Sequence, residues 1–103
     1  ILINCAGIFP VKSIVESTIE DFDDCFSVNI RAPFILSKKL SESMINNKWG
    51  RIVHISSFHA LSGGEINKKY GTAHAYNCAK AFLNTSISIK PNIKPSSVLF
   101  SSA

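Results

Sequence analysis

The chain has no long apolar run, no paired-cysteine spacing and no glycine fingerprint, and each absence removes a class of protein. Its uninterrupted apolar stretches fall far short of the roughly 20 residues that a membrane-spanning helix needs. Nothing in it resembles a signal peptide, so no membrane partner and a cytoplasmic setting are expected. The three cysteines, Cys5, Cys25 and Cys78, are odd in number and lie in no CxxC or Cys/His pattern. That excludes a disulfide framework, and reduced structural thiols are expected. No two of His54, His59 and His74 have metal spacing, so no metal site is expected, and no Ser/His/Asp order points to a hydrolase. The net charge of +4 comes from scattered lysines, without a basic stripe or interleaved aromatics, which argues against a nucleic-acid partner. None of the five glycines, Gly7, Gly50, Gly63, Gly64 and Gly71, stands in a strand–GxGxxG–helix setting.

What is present is enough for one small folded domain. The 103 residues are 46% apolar, far from a disordered composition. Ile1-Leu2-Ile3 before Asn4-Cys5-Ala6-Gly7 reads as a short strand buried on both sides, as in a parallel sheet. Phe9-Pro10 breaks the chain, and Ser17-Thr18-Ile19-Glu20 carries a capping-box signature that predicts a helix start. Ile19, Phe22, Phe26 and Ile30 give that helix an apolar face, and Asp21, Asp23 and Asp24 suit its positive end. Pro33 allows a bend, after which Leu36, Leu40 and Met44 carry the helix to Asn46 or Asn47.

A second strand is predicted over residues 51–55, with Ser56 and Ser57 at its C-terminal end, the edge where open parallel sheets bind ligands. Residues 58–74 read as a long loop, 76–89 as a helix striped by Ala79, Phe82, Leu83 and Ile87 and stopped by Pro91, and Val98-Leu99-Phe100 as a third strand. Strand, helix, strand, helix, strand is the alternation of an α/β fold with a parallel sheet.

Within that frame, Tyr76-Asn77-Cys78-Ala79-Lys80 stacks a phenol and an ammonium on one helical face. A free phenol ionises near pKa ~10, so proton transfer near neutrality asks for roughly 4 kcal/mol of preferential stabilisation of the anion. A neighbouring cation supplies stabilisation of that kind.

Four features follow one another in fixed order: Asn4-Cys5-Ala6-Gly7, Asn29 within Ser27-Val28-Asn29-Ile30, Gly50 to Ser57, and Tyr76 to Lys80. From Ile1 to about Leu83 this order resembles the short-chain dehydrogenase/reductase family. The resemblance implies a partial Rossmann-like doubly wound sheet, with residues 1–103 forming part of an NAD(P)-binding domain and carrying its catalytic half. The implied activity is hydride transfer between NAD or NADP and a small alcohol or ketone.

Tyr76 then matches the family's acid/base, Lys80 its electrostatic partner and ribose ligand, Ser57 the group that polarises the substrate oxygen, and Asn29 the anchor of a proton relay. Asn4, Ala6 and Gly7 match the turn beside the cofactor. A homodimer or homotetramer packed through residues 34–47 and 76–90 is also implied. The chain departs from the pattern in three places. Cys5 replaces a second asparagine, which removes expected sheet-bridging bonds. The interval from Ser57 to Tyr76 is long. The Gly-rich turn and the later Pro-Gly segment do not occur, so an internal piece of a longer protein is expected.

Tyr70 lies at a more usual distance from the serines, but the residue four beyond it is His74, not lysine. His59 and His74 read as loop residues. Two alternatives stand beside the oxidoreductase: a truncated or degenerate product without activity, and a sugar-nucleotide epimerase or dehydratase, which shares the Tyr-x-x-x-Lys chemistry.

Overall fold

Three parallel strands in the order β1-β2-β3 form the sheet: β1 (Leu2–Asn4), β2 (Ile52–Ser57) and β3 (Ser97–Ser101). The computed structural model describes residues 1–62, 74–83 and 97–101, with side-chain surroundings for residues 1–61 and 75–83. Leu2 pairs with Ile52 and Asn4 with His54, while Ser57 pairs with Ser101. Parallel neighbours need crossovers, and the helices between the strands supply them.

The expectation of a first strand buried on both sides is corrected. Leu2 and Asn4 are buried, but Ile3 between them is 60% exposed. Alternate side chains of a strand point to opposite faces, and among the described residues β1 is covered on one face, by the helix that follows it.

That helix begins as α1 (Ile19–Phe26), continues through a π-helical turn (Ser27–Arg31) and runs on as α2 (Ala32–Asn46). The capping box sits one residue later than the sequence pattern placed it. Thr18 Oγ1 accepts from Asp21 N at 3.1 Å, and Asp21 Oδ2 accepts from Thr18 N at 2.9 Å. Ser17 Oγ instead donates to Ser13 O. Asp21 also meets Lys12 at 2.7 Å, and these hydrogen bonds, that from Lys12 foremost, hold its carboxyl down at about 2.

Most of the predicted apolar face is exposed, and of it only Ile30 and Met44 are buried. Phe22 is 47% exposed, and Ile19, Phe26, Leu36 and Leu40 are exposed as well; Phe22 and Phe26 stack on each other at 5.8 Å. The buried side is Cys25, Asn29, Ile30, Pro33, Ser37 and Met44, in which small or polar residues alternate with the apolar Ile30 and Met44. Cys25 and Ile30 pack with Tyr76 and Ala79, and Met44 packs with Leu2 and Ile52.

Pro33 follows directly on the π-helical turn at the start of α2 and does not end the helix. The end comes at Asn46, as expected. Lys48 there takes a positive φ of 52°, and Trp49 N donates to Met44 O at 3.0 Å. Gly50 must be glycine, because the Met44 side chain fills the space its Cβ would need.

β2 extends to Ser57, two residues beyond the predicted end, so Ser56 and Ser57 belong to the strand. The region expected as a loop contains a short helix, α3 (His59–Ser62); residues 63–73, with Tyr70, lie outside the described residues. α4 (His74–Leu83) follows; its predicted continuation to residue 89 also lies outside them. Among the described residues no helix is long and apolar enough to cross a membrane.

Candidate active site at the carboxyl end of the second strand

Buried polar groups gather where β2 ends against α4. Lys80 is only 4% exposed, and its Nζ donates to Ile55 O at 2.7 Å. Its main-chain carbonyl accepts from Ser56 Oγ at 2.9 Å, which fixes α4 on the strand. Burial pushes the lysine below its usual pKa, because an ammonium removed from water is disfavoured. The Nζ lies 5.6 Å from the centre of the Tyr76 ring one turn earlier. Tyr76 itself is 5% exposed.

Asn29 arrives from the π-helical turn. Its Oδ1 accepts from Ile8 N at 2.8 Å, its Nδ2 donates to Ile8 O at 2.9 Å, and Nδ2 also reaches Cys25 Sγ at 3.2 Å. The amide therefore clamps the segment after β1 and makes no bond to Lys80. Burial raises the pKa of the Cys25 thiol, so it stays protonated as a core group.

Gly7 is drawn into the same place. A Cβ on it would stand 3.3 Å from Asn29 Oδ1 and 3.4 Å from Lys80 Nζ, so glycine keeps a small polar recess open between the two side chains. Ser57 closes β2 fully buried, and its Oγ accepts from His59 N at 3.3 Å. Tyr76, Lys80, Asn29, Gly7 and Ser57, all singled out in the sequence, thus sit around the same end of the sheet. Ala6 is exposed. Asn4 faces elsewhere: its Nδ2 lies 3.0 Å from Nδ1 of His54, so the side-chain bond linking β1 to β2 comes from this pair.

Sequence reasoning missed three residues. His54 is buried within the sheet, its pKa lowered by desolvation, and its Nε2 has no hydrogen-bond partner among the described residues. Phe9 stands edge-on to Tyr76 with ring centres 4.4 Å apart, and His59 lies 6.4 Å from the same ring. The signal for His59 was its place two residues beyond Ser57; for Phe9 there was none. Neither has a periodicity to mark it.

A parallel α/β sheet with tyrosine, lysine and serine converging at its carboxyl edge defines a Rossmann-type domain. The chain belongs to the short chain dehydrogenase family, whose model matches residues 1–88. It is 46% identical over 63 residues to an uncharacterized oxidoreductase of Thermotoga maritima, covering 61% of this chain and 25% of that one. It is 36% identical over 75 residues to the 3-oxoacyl-[acyl-carrier-protein] reductase FabG of Rickettsia conorii, covering 73% and 31%. Among solved structures, a 4-hydroxyisoleucine dehydrogenase complexed with NADH and succinate superposes with a TM-score of 0.70 at 31% identity, covering 80% and 36%. A Beutenbergia cavernae protein proposed as an NAD(P)-dependent gluconate 5-dehydrogenase, with NADP bound at low occupancy, gives a TM-score of 0.71 at 29% identity, covering 80% and 31%. The chain spans between a quarter and about a third of the length of these relatives.

Proposed function

We propose that the full-length protein is an NAD(P)-dependent oxidoreductase that interconverts a secondary alcohol and a ketone, and that residues 1–103 are the catalytic half of its NAD(P)-binding domain. The observation that carries this reading is the buried Lys80 ammonium 5.6 Å from the Tyr76 ring, beside the Ser57 end of β2. The residues present fit a nucleotide. Lys80 Nζ spends one N–H on Ile55 O, its remaining donors suit the paired hydroxyls of a ribose, and Gly7 keeps the adjoining recess free of a side chain. A bound nicotinamide supplies or accepts the hydride.

The protein's own groups handle the proton. The Tyr76 hydroxyl gives it to the substrate oxygen during reduction and takes it back during oxidation. Lys80 offers fixed positive charge to the negative charge that develops on the phenol oxygen, in a place with little water to screen it. Ser57 Oγ orients the substrate oxygen. Asn29 holds Ile8, and with it the turn of Asn4, Ala6 and Gly7, against the lysine, as the anchor of the relay that returns the proton to solvent.

The exposed Phe34, Ile35, Leu36 and Leu40 on α2 support self-association through that helix as a homodimer or homotetramer. A cytoplasmic setting completes the proposal; the three cysteines are free thiols, as a reducing compartment keeps them. The decisive experiment is Tyr76→Phe in the full-length protein. A fall in ketone reduction of about 100-fold or more, with NAD(P)H binding kept, supports the reading, and an unchanged rate overturns it.

A further inference from the structure

Among the described residues two rings crowd Tyr76, and neither belongs to the proton-transfer set. Phe9 stands at 72° to the phenol ring and His59 at 88°, both edge-on, and the two are 5.8 Å from each other. They come from separate segments. Phe9 follows the turn after β1, next to Ile8, which Asn29 clamps on both its N–H and its C=O. His59 opens α3 directly after β2, and its N–H is bound to Ser57 Oγ. Both rings are therefore placed by the same contacts that place the reactive groups. Phe9 is 45% exposed although Tyr76 is nearly covered, so apolar surface is presented immediately beside the phenol.

We propose that Phe9 and His59 form the specificity wall of the substrate site, and that the preferred substrate is a carbonyl compound bearing a flat or aliphatic apolar group rather than a polyhydroxylated one. The inference rests on the oxidoreductase reading and deepens it. Hydroxyls pressed against the Phe9 edge surrender bonds to water and receive none in return. An aryl or alkyl group instead removes the exposed carbon of Phe9 from water and adds an edge-to-face contact. His59 places a second ring against the phenol, so the wall continues from the β1 turn to α3.

The test compares acetophenone with 5-keto-D-gluconate as substrates of the full-length protein, in wild type, Phe9→Ala, Phe9→Leu, His59→Ala, His59→Phe and Tyr76→Phe. Wild type is expected to favour acetophenone in kcat/KM by about tenfold or more. Phe9→Ala and His59→Ala lower kcat/KM for acetophenone by about 10- to 200-fold, chiefly through KM, and raise that for 5-keto-D-gluconate or leave it undiminished. Phe9→Leu and His59→Phe recover most of the loss, because apolar surface and not proton transfer is at stake.

A wild type that prefers 5-keto-D-gluconate or reduces neither ketone overturns the proposal. So does an equal fall on both substrates, or a lack of rescue by Phe9→Leu and His59→Phe. Tyr76→Phe separates the two levels: if it keeps the wild-type rate, the oxidoreductase reading has failed. If it abolishes turnover while Phe9→Ala fails to discriminate, only the specificity wall has failed.

Discussion

Asn29 holds Ile8 by both main-chain polar groups at once, its Oδ1 on the N–H and its Nδ2 on the C=O. One side chain on the central helix thereby does for the segment after β1 what a neighbouring strand would do. Asn29→Asp keeps the size and one acceptor but cannot donate to Ile8 O. We expect it to destabilise the protein by about 1–3 kcal/mol, seen as a lower urea midpoint at unchanged slope. Asn29→Ala should cost at least as much. A midpoint unmoved in both variants would show that the clamp carries no stability.

His54 gives the sheet an acid limit. Its folded pKa lies below the usual 6.5, so the unfolded chain binds the proton first as pH falls. Stability is therefore expected to fall as pH drops below about 6.5 and to go on falling toward the folded value. The Asn4 contact adds to this: with Asn4 donating, the ring accepts on Nδ1, which an imidazolium cannot do. His54→Gln keeps an acceptor without the titration, and its stability profile between pH 7 and 5 should be flatter than that of wild type. Parallel profiles would rule the effect out.

Gly7→Ala puts a methyl into the recess between Asn29 and Lys80. The lysine end can swing away, but the asparagine amide cannot without releasing Ile8. The expected result is weaker NAD(P)H binding by about tenfold, equivalent to roughly 1.4 kcal/mol, measured by calorimetry on the full-length protein. Unchanged affinity would place the nucleotide away from Gly7.

Lys48→Gly should stabilise. Lysine pays for its left-handed backbone at the end of α2, and glycine does not. A gain of about 1 kcal/mol, read as a rise in Tm of several degrees, is expected; a fall in Tm would mean that the Lys48 side chain contributes more than its backbone strain removes.

The alternation of elements was legible in the sequence because it rests on apolar runs and breakers: the end of α2, the β3 strand and the Tyr76–Lys80 face all lie where their patterns place them. Short motifs singled out Tyr76, Lys80, Asn29, Gly7 and Ser57, which the structure brings to one end of the sheet. The facing of the central helix was legible only at Ile30 and Met44. Its larger apolar residues, Ile19, Phe22 and Phe26, point outward, while Cys25 and Asn29 point inward, and a moment built on hydrophobicity alone weights the wrong side. The capping box slipped by one residue because Ser17 and Thr18 are both competent caps, and the reciprocal bond of Asp21 decided between them. Contacts between segments far apart in the chain, such as Asn4 with His54 and Phe9 with Tyr76, leave no local trace at all.

The π-helical turn takes up one extra residue without breaking the central helix. Ala32 N donates to Ser27 O, five residues back instead of four, so the turn holds one residue more than an α-helix would. Deleting a single residue there should restore a uniform α-helix and leave α1 and α2 close to their present facing, because five residues of the wider turn sweep about the same angle as four of an α-helix. The damage would fall on the turn itself, where Asn29 holds Ile8 by both main-chain groups. A frame-preserving loss of one codon in this stretch is therefore expected to loosen the segment after β1 while Cys25 stays packed with Tyr76 and Ala79.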